Sequence, residues 1–319
     1  MIQLSPHRLS PRKPSPGRMR VRRKDNISLF LMTVPGILVF ICFSYMPLYG
    51  LLLAFKNFLP RLGIWGSPWV GPLNFQFMFK NATFWLSLRN TLLYNAAFLI
   101  TGIICPMLLA IGLNELLSKK LARTLQTFVI MPHFVSYVVV SVIVFALCSA
   151  DNGMIAHFLD SIGLPRIAFY SEAKYWPWNL NIVHIWKSTG YSSIIYMGAL
   201  TGISDEYYEA AVIDGASKWQ QTRYITIPFL IPMTVILAIL RVGGMFSSTF
   251  DLFYQVPLNS GQLYPVTNTI DVFVYNMLRT SNNVSLSSAA GFFQSLSGFI
   301  LVVSVNWIIR KIDPDLAMF

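Results

Sequence analysis

The chain has 319 residues, of which 55% are hydrophobic and only 12% charged, with a formal net charge of +11. Soluble domains carry roughly 25% charged residues, so a chain this apolar cannot cover a globular surface with polar groups and reads as an integral membrane protein. The positive charge does not indicate a nucleic-acid partner, because it is concentrated at the N-terminus and ahead of the first apolar run.

Residues 1–26 form a basic tail rich in Pro and Ser. Eight of the 24 Lys and Arg (Arg8, Arg12, Lys13, Arg18, Arg20, Arg22, Arg23 and Lys24) precede Asp25 with no acidic residue among them. Such a tail anchors to anionic lipid and holds its end of the chain in the cytoplasm. A spanning helix needs about 20 predominantly apolar residues, and six segments qualify within a membrane domain over 27–319. They lie at about 27–54, 90–113, 125–149, 180–201, 228–250 and 289–309. The first is too long for a signal-peptide core and lacks a cleavage site after it, so it is read as retained.

With the N-terminus in the cytoplasm, the inner stretches carry roughly twice as many Lys and Arg as the outer connections, which puts both termini and the 203–228 connection inside. The outer connections are long. The first interleaves Gly63, Gly66, Gly71, Pro68 and Pro72 with Trp65 and Trp69, then continues into a Phe-rich amphipathic stretch over 73–88. The second holds Tyr175, Trp176, Pro177 and Trp178, read as an aromatic belt. These segments either dock an extracytoplasmic partner or anchor helices in headgroups. Cys42, Cys105 and Cys148 are isolated, and the four His are scattered. No metal site is expected, and the odd cysteine count implies no disulfide framework.

The most informative connection is the polar one at 203–228. It runs Glu209-Ala210-Ala211, then Asp214-Gly215, then Ile225-Thr226-Ile227-Pro228. Ser204 is placed to cap a short helix, and Asp205 and Glu206 put negative charge at its positive end. Gly215 suits a left-handed bend, and Pro228 suits the first turn of the fifth span. This order resembles the EAA loop of the membrane subunits of bacterial ATP-binding-cassette (ABC) importers. The departure is Ile227 in place of Leu before the proline. The resemblance, most specific at 203–228, implies a type I permease fold: all-α, six transmembrane helices and a coupling helix. It also implies a second permease chain, two ATP-binding subunits seated on Glu209, Ala210, Ala211, Asp214, Gly215, Ile225 and Pro228, and a solute-binding protein. The chain has no Gly-x4-Gly-Lys-Ser/Thr phosphate loop, so no cofactor is expected in it. ATP and Mg would be held by the partner subunits. The place would be the bacterial inner membrane.

Ionisable groups inside spans usually face a cavity or a partner. Arg241 lies within the fifth predicted span, ahead of Gly243-Gly244, and Lys187 and His184 share a face of the fourth. Arg241 and Lys187 are pathway candidates for an anionic cargo; the alternative for Arg241 is a structural pairing with the partner permease. Tyr191, Tyr196, Phe246 and Phe250 either stack on sugar rings or pack the bundle. The run Gly63-Ile64-Trp65-Gly66-Ser67-Pro68-Trp69-Val70-Gly71 resembles oligosaccharide and polysaccharide permeases, which makes carbohydrate the expected cargo and an alginate-like uronate the specific expectation. A secondary transporter driven by an ion gradient is the rival, but no Asp or Glu lies in the central part of any predicted span.

Overall fold

A computed structural model describes residues 16–312. The predicted tail therefore falls in part outside the described residues, and its segment from Pro16 onward is helical backbone. Helix α1 (Pro16–Phe40) continues through a π turn (Ile41–Tyr45) and a 3-10 stretch (Met46–Phe55). The chain divides into two compact units, Met1–Leu52 and Leu53–Phe319. In the first, the apolar run from Leu29 buries none of its spanning window within the chain.

The second unit holds α2 (Leu73–Lys80), α3 (Ala82–Asn114), α4 (Lys119–Phe134), α5 (Tyr137–Cys148), α6 (Met154–Ser161) and α7 (Trp176–Leu200). It continues with α8 (Asp205–Ile213), α9 (Lys218–Gln221), α10 (Ile227–Gly243), α11 (Phe250–Gln255), α12 (Ile270–Arg279) and α13 (Val284–Ile312). No strand is present among the described residues; a lone bridge pairs Lys56 with Trp69. Among those residues four helices are long and apolar enough to cross a membrane, or five if the bent pair α4/α5 is one span. At 25 residues α7 has spanning length, but its Asn, His, Lys and Ser keep it more polar than those four, so six is reached only by adding both.

Three predicted spans change shape. The third is broken: α4 and α5 meet at 99°. Pro132 sits in the last turn of α4, and Ser136 accepts the Val139 N–H to start a new helix. The fifth ends at Gly243 rather than 250, because the next residues are tied sideways. Asn95 Nδ2 donates to the carbonyls of Met245 (2.8 Å) and Ser247 (2.7 Å), and Asp271 accepts from the Ser248 amide and hydroxyl. That rod instead starts early, at Lys218. A π turn over Thr222–Thr226 precedes Pro228, so the proline lies within a continuing helix rather than at a fresh start. The second begins at Ala82, capped by Asn81, so the stretch 73–88 is two helices and not one.

Apolar burial concentrates in three clusters. Tyr94 and Phe98 of α3 meet Val140 and Val144 of α5, Trp176 and Leu180 of α7, and Leu252 and Phe253 of α11. Met78, Phe84, Leu88, Ile270, Phe273 and Ala290 form a second core. At the other end of α3, Ala110 and Ile111 pack with Tyr196, Leu200, Ile203 and Leu230. The starts of α3 and α7 thus share one end of the bundle and their ends share the other, so the two run parallel. The remaining large apolar side chains of α10 and α13, such as Ile231, Leu240, Phe299 and Ile300, face outward, as a lipid-facing surface requires.

Candidate functional site

The elbow at 203–228 is built by local sequence. The Ser204 hydroxyl accepts the Glu206 N–H at 3.3 Å, and Asp205 and Glu206 occupy the first turn of α8. The helix closes with a paired motif: Ala216 N–H donates to Ala211 C=O at 2.8 Å, and Gly215 N–H donates to Val212 C=O at 3.0 Å. Gly215 has φ +80°, the left-handed backbone that a side chain resists. Ser217 and Gln220 then cap α9 reciprocally.

The elbow has two faces. Tyr208, Ile225 and Ile227 pack on the Tyr196–Leu230 core. The Tyr208 and Thr226 hydroxyls bond at 3.0 Å, Gln221 Nε2 donates to Ala216 C=O at 3.1 Å, and Lys218 pairs with Glu115 at 3.5 Å. The opposite face is bare: Glu209, Ala210, Asp214 and Pro228 are exposed, as are Val212, Ile213 and Trp219. Between α8 and α9 lies a groove of about 440 Å³ whose lining includes Asp205, Glu209, Ile213 and Lys218. The arrangement offers a carboxylate and apolar anchors outward while bracing against the bundle inward. The bracing residues Tyr208, Thr226 and Gln221 were not singled out in the sequence; the Gln four residues before Ile225 and the Thr between the two Ile carry no motif signal.

The pathway candidates separate. Lys187 is buried, and its Nζ donates to the carbonyls of Pro132 (3.2 Å), His133 (2.7 Å) and Val135 (2.5 Å) while lying 4.8 Å from the Tyr137 ring centre. An ammonium has three N–H donors, so all are spent on the α4/α5 break and none is left for a cargo. Arg241 is different. Among the described residues its guanidinium makes one hydrogen bond, to the Ser192 hydroxyl at 3.4 Å, and joins no ion pair, and it lies across Gly102 of α3. A Cβ on Gly102 would sit 2.5 Å from Arg241 Nη1.

The aromatics separate too. Tyr191 is exposed and stacks on His133 with ring centres 4.2 Å apart. Tyr196 is fully buried core. Phe246 meets Phe293 edge-on, and Phe250 stacks on Tyr254 at 4.9 Å. Trp176 of the expected aromatic belt is fully buried, its indole N–H donating to Phe169 C=O, whereas Trp178 is exposed. The first long connection is a folded platform: buried Lys56 donates to the carbonyls of Ile64 and Trp65, and Trp65 and Trp69 project outward. In the second, Arg166 grips Asp160 at 2.6 Å, which holds that carboxyl below the usual carboxylate range.

A helical bundle with an elbow of this geometry is the architecture of a membrane-spanning transport subunit. The chain belongs to the family described as "Binding-protein-dependent transport system inner membrane component", matched over residues 102–318. It is similar to the protein LplB of Bacillus subtilis (strain 168), 36% identical over 287 residues and 90% of each chain. It is also similar to the polygalacturonan/rhamnogalacturonan transport system permease protein YteP of the same strain, 34% identical over 93% of this chain and 92% of the relative. Among solved structures, a chain of a bacterial ABC transporter involved in the import of the acidic polysaccharide alginate superposes with a TM-score of 0.83. It shares 30% sequence identity, covering 93% of this chain and 99% of that one. A second structure of an alginate transporter, in complex with alginate pentasaccharide-bound periplasmic protein, gives a TM-score of 0.82.

Proposed function

We propose that this permease passes a carbohydrate, an acidic oligo- or polysaccharide of the uronate type, across the inner membrane, and that partner ATP-binding subunits drive it through the elbow. The observation that carries the coupling half is the two-faced elbow. Glu209, Ala210 and Ala211 lie on α8, whose inner side chain Tyr208 is tied to the rod that becomes α10. A push on the outer face of α8 therefore reaches the bundle without crossing a flexible joint. Glu209 would accept a charge-assisted bond from an Arg of the motor, and small Ala210 lets a partner's backbone come close. ATP and Mg would sit entirely on those subunits. Both termini and the elbow would then face the cytoplasm. A second permease chain and an extracytoplasmic binding protein complete the assembly.

The cargo half rests on relatives named for polygalacturonan, rhamnogalacturonan and alginate transport, and on Arg241, a cation inside the bundle with no carboxylate paired to it among the described residues. The test is uptake of a labelled uronate oligosaccharide by vesicles holding the assembled transporter. Uptake should require ATP, survive dissipation of ion gradients, and fall at least tenfold in Glu209→Lys while the chain still inserts. Uptake that continues without ATP and collapses with the gradient would favour a secondary carrier. Normal uptake in Glu209→Lys would remove the socket.

A further inference from the structure

The rod that starts in the elbow has a second end. From Lys218 it runs unbroken to Gly243, and its near end is tied to α8 by the Tyr208–Thr226 bond. At the far end Gly243-Gly244 closes the helix, and residues 244–249 make turns before α11 starts at Phe250. A glycine pair leaves the backbone free to change course. Yet side chains of three other helices hold this link. Asn95 of α3 spends both Nδ2 hydrogens on it, donating to Met245 C=O at 2.8 Å and to Ser247 C=O at 2.7 Å. Asp271 of α12 accepts from the Ser248 amide and hydroxyl. Gln294 of α13 donates to both Ser247 Oγ and Asp271 Oδ1, at 3.0 Å each.

The three holding helices form one frame. Thr91 lies one turn before Asn95 on α3, and its hydroxyl accepts the Ile270 N–H at the start of α12 at 2.9 Å. The fully buried Thr269 hydroxyl bonds Ser248 Oγ at 2.7 Å. Phe84 and Leu88 of α3, Ile270 and Phe273 of α12 and Ala290 of α13 share a core, and Phe246 of the link packs against it. The rod's own Leu230 sits in a different core, at the elbow end. Rod and frame meet closely: a Cβ on Gly298 of α13 would lie 3.1 Å from the Gly243 carbonyl oxygen, and one on Gly243 would lie 2.9 Å from Val302 Cγ2. Asp271 joins no ion pair among the described residues, so its charge is met by those donors and by the first turn of α12.

The link's own turns, Gly244 N–H to Arg241 C=O and Met245 N–H to Val242 C=O, already end the helix. What the clamp adds is attachment to the frame. A lever delivers a displacement only when its far end bears on something fixed; otherwise the backbone at the glycine pair absorbs the push, since hinge motion collects in a few element-terminal residues. We propose that Asn95, Asp271 and Gln294 are positioning residues for transport. They form the bearing against which the rod 218–243 pivots when α8 is pushed, so that the stroke carries Arg241, in the rod's last turn, past Gly102 of α3. The bearing rests on the ATP-coupling reading and adds to it the place where the stroke ends.

The experiment reads saccharide moved per ATP split. The assembled transporter, with its binding protein outside, is placed in proteoliposomes that enclose ATP, and uptake of labelled oligogalacturonate and ATP hydrolysis are measured on the same preparation. Asn95→Leu is close in size and removes both carbonyl bonds. It should lower uptake at least tenfold while hydrolysis stays within twofold, because the elbow still engages its motor and only the far bearing is lost. Gln294→Leu leaves the Asn95 bonds in place and should lower uptake per ATP about threefold; it carries the test alone if Asn95→Leu does not assemble. An unchanged ratio of uptake to hydrolysis in the assembled variants overturns the bearing. That holds whether both rates fall together, as a clamp that only holds the fold would give, or both stay at the parent's values. Absence of ATP-dependent uptake in the unsubstituted transporter overturns the import reading instead, so the two failures are distinguishable.

Discussion

Lys187 and Arg241 look alike in the sequence: each is a lone cation in an apolar helix, and neither has a carboxylate three or four residues away. In the fold they do opposite things. Lys187 closes the open end of α4 with three carbonyl bonds where the helix breaks by 99°. Arg241 holds one long hydroxyl contact and lies over a glycine. The difference is one of satisfaction. A cation whose donors are all spent is part of the scaffold, and one with donors to spare inside a membrane bundle has a ligand or a partner still to meet.

The largest expected effect breaks the scaffold cation. Lys187→Met removes the donors that, among the described residues, reach the Pro132, His133 and Val135 carbonyls from outside α4 and its cap. It should lower stability by about 3 kcal/mol or more, since charged hydrogen bonds contribute roughly 1.5–3 kcal/mol each. Thermal unfolding in detergent reads this as a clear drop in midpoint, with uptake lost in proportion to folded protein. Next is the contact beside it. A Cβ on Gly190 would lie 2.0 Å from the Val129 carbonyl oxygen, backbone against backbone where α7 crosses α4. Gly190→Ala should therefore cost about 1–3 kcal/mol, the range of overpacked cores. A variant as stable as the parent would show that the crossing is looser than described.

Smallest in stability is Arg241→Ala, expected to shift the unfolding free energy by less than about 1 kcal/mol, because it removes one weak contact. Its effect belongs on transport: uptake of an acidic oligosaccharide should fall several-fold more than uptake of a neutral one. Equal losses would assign Arg241 to a pairing with the second permease chain and dissolve the contrast with Lys187.

The elbow was legible because its signals are local. Ser204, Asp205 and Gly215 each specify a cap or a bend within four residues, and chain order alone places them. Helix existence was legible for the same reason, since apolar length does not depend on neighbours. The breaks were not. The stop at Gly243 depends on Asn95 and Asp271, distant in sequence, and the break after Phe134, favoured locally by Pro132 and Ser136, has its open carbonyls met by Lys187 more than fifty residues on. The same holds for Trp176 and Tyr196, whose aromatic rings suggest an interface or a sugar platform until the fold buries both completely. Burial of side chains and satisfaction of donors are tertiary quantities, and hydropathy reports neither.

In the proposed function the bare face of α8 seats an ATP-driven partner. Glu209→Cys, introduced after Cys42, Cys105 and Cys148 are replaced by Ser, tests it in the assembled transporter. A short bifunctional thiol reagent should link position 209 to an ATP-binding subunit, and a membrane-impermeant maleimide added to intact cells should leave it unlabelled. Labelling from outside, or no link to any ATP-binding subunit when neighbouring elbow positions are also tried, would contradict the account.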